Sequence, residues 1–355
     1  MPVVSTMLML ASSVSAIEVP DLYQASAVVT SQSPQARKIS QRAAFKKVLV
    51  KVSGNNSVLD HPQIKRAISK AADYVRQFQF GRNEDNEQLL LATFDEAKIN
   101  KLLRRESLPI WGKRRPSILL WMVGEDSDCA VRRVVSKESY GHLRSQIVKV
   151  SKDRGLPVLF PLYDLEDNQK VSVSDVWGHF YEHIKTFSLR YKTDSIVLSR
   201  FWYEADPDDP EGNNDKNWKL EWRLFESDAL VELKLIEGDL NQVLDQLVNN
   251  MADRYAAEYA VKVSNLDNAP RMIMTIRNVA RVESLIEAEK LLLSFSAVAD
   301  VLLKTVNNDV AEFEILLVGE SLDLLQGMDL EQRFEKIFDA LADLEQQPIE
   351  YRWVP

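Results

Sequence analysis

The sequence predicts an α/β and α+β protein of several domains, on three grounds. A chain of 355 residues, 45% hydrophobic and 27% charged, can bury two or three separate cores. Between Ser117 and Tyr203 three apolar runs alternate with helical patterns, the order expected of βαβ crossovers in an open mixed sheet. Past Pro270 the elements read βαββαβ, a ferredoxin-like unit at the C-terminus.

Residues 17–112 form the first unit. A strand pattern spans Tyr23 to Val29, and Ser31-Gln32-Ser33-Pro34 then signals a helix start, because proline costs nothing in a first turn whose N–H is unpaired anyway. Ile39, Ala43, Val48, Val50 and Val52 give that helix its apolar side, and Gly54-Asn55-Asn56 stops it. His61-Pro62 opens a second helix, with Ile64, Ala67, Ile68, Ala71, Ala72, Val75 and Phe78 at helical spacing. Leu89 to Phe94 reads as a strand and Glu96 to Arg105 as a short helix, before the turn-rich basic junction Trp111-Gly112-Lys113-Arg114-Arg115-Pro116.

The middle unit, residues 113–265, begins with the continuous apolar run Ser117 to Val123, as expected of a strand covered on both faces. A helix over Lys137 to Asp153, a second run at Leu156 to Leu162, a helix over Val173 to Tyr191 and a third run at Ser195 to Tyr203 follow. After the polar loop Asp206 to Asn217, the alternation from Trp218 to Leu224 predicts a hairpin with one wet face, completed by Leu230 to Ile236. Asp239 to Val263 reads as a long amphipathic helix. In the last unit, residues 266–355, strands at Arg271–Arg277, Val298–Val306, Val310–Val318 and Ile349–Val354 alternate with helices at Val282–Leu293 and Leu330–Leu344.

Met1 to Ala16 reads as an export signal: an apolar run from Val3 to Leu10 ends in the small-residue site Val14-Ser15-Ala16. Cleavage after Ala16 would place a mature chain beginning at Ile17 in the periplasm. No later apolar run is long enough to span a bilayer, and the lone Cys129 lies far from any acylation site, so neither a transmembrane nor a lipid anchor is expected. One cysteine cannot form an intramolecular disulfide. The net charge of −9, read as spread along the chain, argues against nucleic acid as a partner.

Two constellations carry possible chemistry. His179-Phe180-Tyr181-Glu182-His183 fits the H-x-x-E-H pattern of one group of zinc peptidases. On a continuous helix, His179 and His183 would stand one turn apart and share a metal, with Glu182 as base and Glu258 as third ligand. Against this, the pattern fixes three positions in five, and Val176, Phe180, Ile184 and Phe187 already give that helix an ordinary core face. The second is the junction Arg114-Arg115 beside Trp111, joined in space by Arg132 and Arg133, whose forks and indole face suit an anion or a partner. Its competitor is a solvated linker sealing two domains. Trp202, Trp218 and Trp222 cluster on the hairpin, and the carboxylates Asp208-Asp209 lie in a loop too polar for tuned acid–base work. Neither a glycine-rich phosphate loop nor a nucleophile elbow occurs, so no cofactor is expected.

Several tracts together carry a resemblance: Val19-Pro20-Asp21-Leu22-Tyr23, Val48 to Asn55, Trp111-Gly112 with Arg115-Pro116, Gly155 to Pro161, and Ser174-Asp175-Val176-Trp177-Gly178. They resemble domain-of-unknown-function family 2066. That resemblance implies an exported protein of Gram-negative bacteria without an established activity, and it does not require histidines after Trp177-Gly178. The expectation is therefore a noncatalytic periplasmic protein that binds a protein partner in envelope assembly or maintenance. A zinc-dependent hydrolase built on His179, Glu182 and His183, and a small-ligand or anion-binding protein using the junction, are the alternatives.

Overall fold

A computed structural model describes residues 17–83, 86–126, 131–204, 218–262, 270–337 and 349–355. The export signal, Cys129, the loop with Asp208-Asp209, and residues 338–344 of the expected last helix lie outside the described residues. Helices and mixed sheets build a multi-domain α/β protein. No described helix is long and apolar enough to cross a membrane.

The first core forms where the sequence places local signals most densely. After β1 (Ile17–Glu18) and β2 (Gln24–Val28), α1 (Pro34–Ser53) starts at Ser33, whose hydroxyl accepts from the Ala36 N–H at 3.2 Å. It stops at Gly54, which takes the left-handed φ of 76° that ends a helix cheaply only in glycine. Then come α2 (Pro62–Ser69), β3 (Val75–Arg82), β4 (Gln88–Phe94) and α3 (Glu96–Arg105), with strand order β2-β4-β3. Phe45, Val48 and Leu49 of α1 bury against Leu90 and Phe94 of β4 and Ile99 and Leu103 of α3. Val75 and Phe78 are not helical, contrary to the helical spacing: Gln77-Phe78-Gln79-Phe80 alternates at period two and pairs along β4, and Val75 joins the ladder across a register shift. Tertiary pairing and the β preference of valine and phenylalanine prevail there.

The middle core surrounds one sheet. Its elements are β5 (Arg114–Arg115), which pairs with β1, then β6 (Ile118–Glu125), β7 (Arg132–Val134), α4 (Gly141–Arg154), β8 (Val158–Leu159), α5 (Leu165–Lys170), α6 (Val173–Trp177), α7 (Tyr181–Ser188), β9 (Ser195–Tyr203), β10 (Trp218–Glu226), β11 (Ala229–Gly238) and α8 (Leu240–Tyr259). The strand path is β11-β10-β9-β6-β7, with β8 also paired to β6. β6 runs parallel to β8 and β9, as βαβ crossovers require. Its unbroken apolar run is explained by its two faces. Ile118, Leu120 and Met122 pack with α4 and α8, while Leu119, Trp121 and Val123 pack under α6 and α7. The run Leu156–Leu162 yields only the two-residue β8, because Pro157 and Pro161 bracket it and cannot donate to a ladder. The expected helix Val173–Tyr191 is broken at Gly178-His179, where His179 adopts φ 54°.

The last core is assembled from β12 (Arg271–Arg277), α9 (Val282–Leu293), β13 (Val298–Asn307), β14 (Val310–Leu317), α10 (Ser321–Asp329), β15 (Phe334–Lys336) and β16 (Glu350–Trp353). The order β13-β14-β12-β16 matches the ferredoxin-like scheme, and the unit departs from it in the direction of β16 and in the added strand β15. β15 takes the outer edge, and β16 runs parallel to β12 rather than antiparallel. Of the expected helix Leu330–Leu344, the described part, residues 330–337, is not helical and carries β15, and a helix that the sequence reading did not place precedes it. A capping box between Glu320 and Asp323 starts α10, and Leu324 and Met328 fill the core from it.

Candidate functional site

The junction is held by a dense set of buried hydrogen bonds. Arg115 is 0% exposed and spends all five of its N–H donors on carbonyl oxygens. Nε donates to Gly112 (3.0 Å), Nη1 to Arg154 (2.9 Å) and Gly155 (3.0 Å), and Nη2 to Lys51 (2.7 Å) and Trp111 (3.0 Å). The guanidinium also lies 3.9 Å over the buried Trp111 ring. Burial pushes its pKa down. A guanidinium with no donor left has nothing to offer an anion, so Arg115 and Trp111 are a staple between the first two cores. Arg154 repeats the device, with Nη2 donating to the Gly54 carbonyl at 2.7 Å and to Asp253 at 2.6 Å.

Its neighbours are occupied as well. Arg114 reaches the last unit, at 2.5 Å from Glu331, 3.0 Å from the Ser294 hydroxyl and 4.5 Å over Phe295. The cavity beside it is about 30 Å³, room for a single water and not for a metabolite. Arg132 and Arg133 do not join this group. They pair with Glu125 and Gly124 at the opposite end of β6, roughly 20 Å away at the usual rise per strand residue. There Arg132 binds Glu125 at 2.7 Å and stacks 3.8 Å over Trp177, and Arg133 binds Asp126 at 2.8 Å.

The H-x-x-E-H residues diverge. His179 sits in the break between α6 and α7, 7% exposed, with Nδ1 3.6 Å from Glu221 and no hydrogen-bond partner for Nε2 among the described residues. Burial, reinforced by Arg223, lowers its pKa to about 4. Burial works against the charge on Glu221, but bonds from Arg200 and Arg223 outweigh it and hold that carboxyl below its usual range. His183 stands exposed on α7, with Nε2 2.7 Å from the Lys170 carbonyl, and Glu182 is exposed beside it. Glu258 lies on α8, across the sheet, beside Arg254 at 3.8 Å; burial and then Glu226 raise its pKa. The shared helical face does not form, and no described group of three or more His, Cys, Asp or Glu is placed to hold a metal.

A surface that the sequence reading missed lies at β11. Among the described residues this strand pairs only with β10, which leaves it at the edge of the sheet. Leu230, Leu233 and Leu235 are 50, 51 and 52% exposed. Leu233 and Leu235 register opposite Arg223 and Glu221, on the face carrying α6 and α7 but beyond their cover. Toward α8 the same strand borders an open groove of about 750 Å³ where Glu232, Asp253 and Glu258 outnumber Lys234 and Arg254. The tryptophans do not form one platform: Trp222 is buried with α8, whereas Trp202 packs on Trp177 across the sheet, ring centres 6.2 Å apart.

Charge also divides unevenly, contrary to the even spread expected. Residues 17–112 hold 15 Lys and Arg against 10 Asp and Glu, and residues 113–355 hold 29 against 43. Fold and surfaces thus define a multi-domain α/β protein with a basic first unit and acidic later ones. Residues 16–112 match the model of a family described as Domain of unknown function (DUF8605), so the similarity falls on the first unit and on a family of unknown function. That family is not the one numbered 2066. No curated protein and no solved structure matches the chain.

Proposed function

We propose that this protein is a noncatalytic module of the periplasm that binds a protein partner in envelope assembly or maintenance, and that it does so by strand addition along β11. The observation carrying this reading is the row of half-exposed leucines on an outer strand. A strand edge offers N–H and C=O groups to an extended chain, and side chains on the two faces select which chain. Here one face is apolar and the other borders a groove where three carboxylates lie beside two cations, which suits a segment alternating apolar residues with Lys or Arg. The small-residue end of Met1–Ala16 supports export.

A synthetic peptide alternating Val and Lys tests the docking. Hydrogen exchange on the full chain should slow at the β11 amides. Leu233→Lys with Leu235→Lys should weaken binding about 30-fold, each half-exposed leucine contributing about 1 kcal/mol on burial. Unchanged exchange at β11, or equal binding by the double variant, would contradict the reading. Cell fractionation with N-terminal sequencing checks the address: a periplasmic chain beginning at Ile17 is expected, and an intact cytoplasmic chain refutes it.

A further inference from the structure

The first unit carries a cationic cleft that shares no lining residue with the arginine-rich junction. Arg66 and Lys70 come from α2 and its C-terminal cap, and Lys98, Lys101 and Arg105 from α3; Asp73 is the one carboxylate among the lining residues. The cleft holds about 450 Å³, within the range of small-ligand sites, over a floor that includes Tyr74 and Leu102.

Three features distinguish it from an ordinary solvated helix face. Arg66 and Lys70 are four residues apart, and Lys98, Lys101 and Arg105 three and four apart, so like charges stack on one side of each helix, an arrangement that weakens helices. Lys98 stands in the first turn of α3, where the helix dipole disfavours a cation, and its ammonium is held 2.8 Å from the Asp73 carbonyl. Neighbouring Lys65 has Asp60 at 3.5 Å, whereas among the described residues no carboxylate is within ion-pairing reach of Arg66, Lys70 or Lys101.

We infer that this cleft binds a small, multiply charged, phosphate-bearing anion. The fork of Arg66 offers paired donors to phosphate oxygens; Arg105, whose Nε already donates to Glu106 at 2.8 Å, adds its terminal nitrogens, and the ammonium groups of Lys70 and Lys101 add charge without fixed geometry. The rest of the chain limits the ligand's size. An excess of 43 acidic over 29 basic residues beyond residue 112 repels a long polyanion running past the first unit. A headgroup-sized phosphate fits; a nucleic acid does not. A soluble polyphosphorylated compound and a phospholipid headgroup share this chemistry.

Calorimetric titration of pyrophosphate into the full chain, against sodium chloride of equal ionic strength, tests the site. Saturable binding and a rise in Tm are expected. Arg66→Glu with Lys101→Glu should weaken binding at least about tenfold, and the milder Arg66→Gln with Lys101→Gln measurably, both variants melting like the parent without ligand. Cosedimentation with phosphatidylglycerol vesicles, compared with phosphatidylcholine vesicles, separates the sources. Vesicle binding competed by pyrophosphate assigns the headgroup, and pyrophosphate binding alone assigns a soluble anion; either supports the site. No binding above the salt control, undiminished binding by both variants, or preference for a single-stranded oligonucleotide would overturn it.

Discussion

At the junction, Arg115 is fully buried and gives five hydrogen bonds to five carbonyl oxygens. In the cleft between α2 and α3, Arg66, Lys70 and Lys101 face solvent and find no carboxylate in ion-pairing reach among the described residues. The two places use the same residue types to opposite ends. A cation consumed by backbone acceptors holds cores together, and one left with open donors can recognise a ligand. What decides is the number of unspent donors, not how densely the cations follow one another in the chain.

The largest expected effect tests the first half of that contrast. Arg115→Met strands five buried carbonyls and should cost about 4 kcal/mol in urea unfolding, since removing one side of a buried charged network leaves the other unsatisfied. Arg115→Lys should recover only part of this, because an ammonium has three donors for five acceptors. Next in size is Gly54→Ala, where a Cβ would sit 2.3 Å from the Ala256 Cβ at a φ of 76°. Strain and overlap at this seam should cost about 3 kcal/mol, read as a lowered unfolding midpoint.

His179 sharpens the comparison, being a buried base that no carbonyl satisfies. Its folded pKa of about 4 lies below the unfolded 6.5, so between those values the unfolded chain binds the extra proton. Stability is therefore fully present above pH 6.5 and is lost as pH falls toward 4, by about 2 kcal/mol. His179→Gln should flatten that stretch of the stability profile. Smallest should be Arg66→Glu with Lys101→Glu, which removes anion binding while moving stability by no more than about 0.5 kcal/mol, since both side chains are exposed.

How far the sequence was legible follows from how local each signal is. Ser33-Pro34 and Gly54 bounded α1 correctly because capping is settled within a few residues. The continuous run in β6 announced two covered faces, and both exist. Where the outcome rests on distant partners, the reading failed. Val75 and Phe78 fit a helical period but pair with β4; the miss at α10 is of another kind, since its capping box at Glu320 and Asp323 is a local signal. The zinc pattern assumed a helix that Gly178-His179 breaks. The Lys113-Arg114-Arg115 run drew attention by its density, though its fate depended on carbonyls of Lys51, Arg154 and Gly155. The cleft was invisible for the converse reason: its cations are scattered from residue 66 to 105 and meet only when α2 packs near α3. The charge imbalance of residues 17–112 was the available signal.

The most direct measurement of the central contrast is urea unfolding of Arg115→Met and of Arg66→Glu with Lys101→Glu beside the parent, each with and without pyrophosphate. The prediction is a double dissociation: Arg115→Met unfolds at much lower urea yet is still shifted upward by pyrophosphate, and the cleft variant unfolds like the parent but ignores the ligand. Loss of the pyrophosphate response in Arg115→Met at urea concentrations where it is folded, or its retention in the cleft variant, would contradict the account.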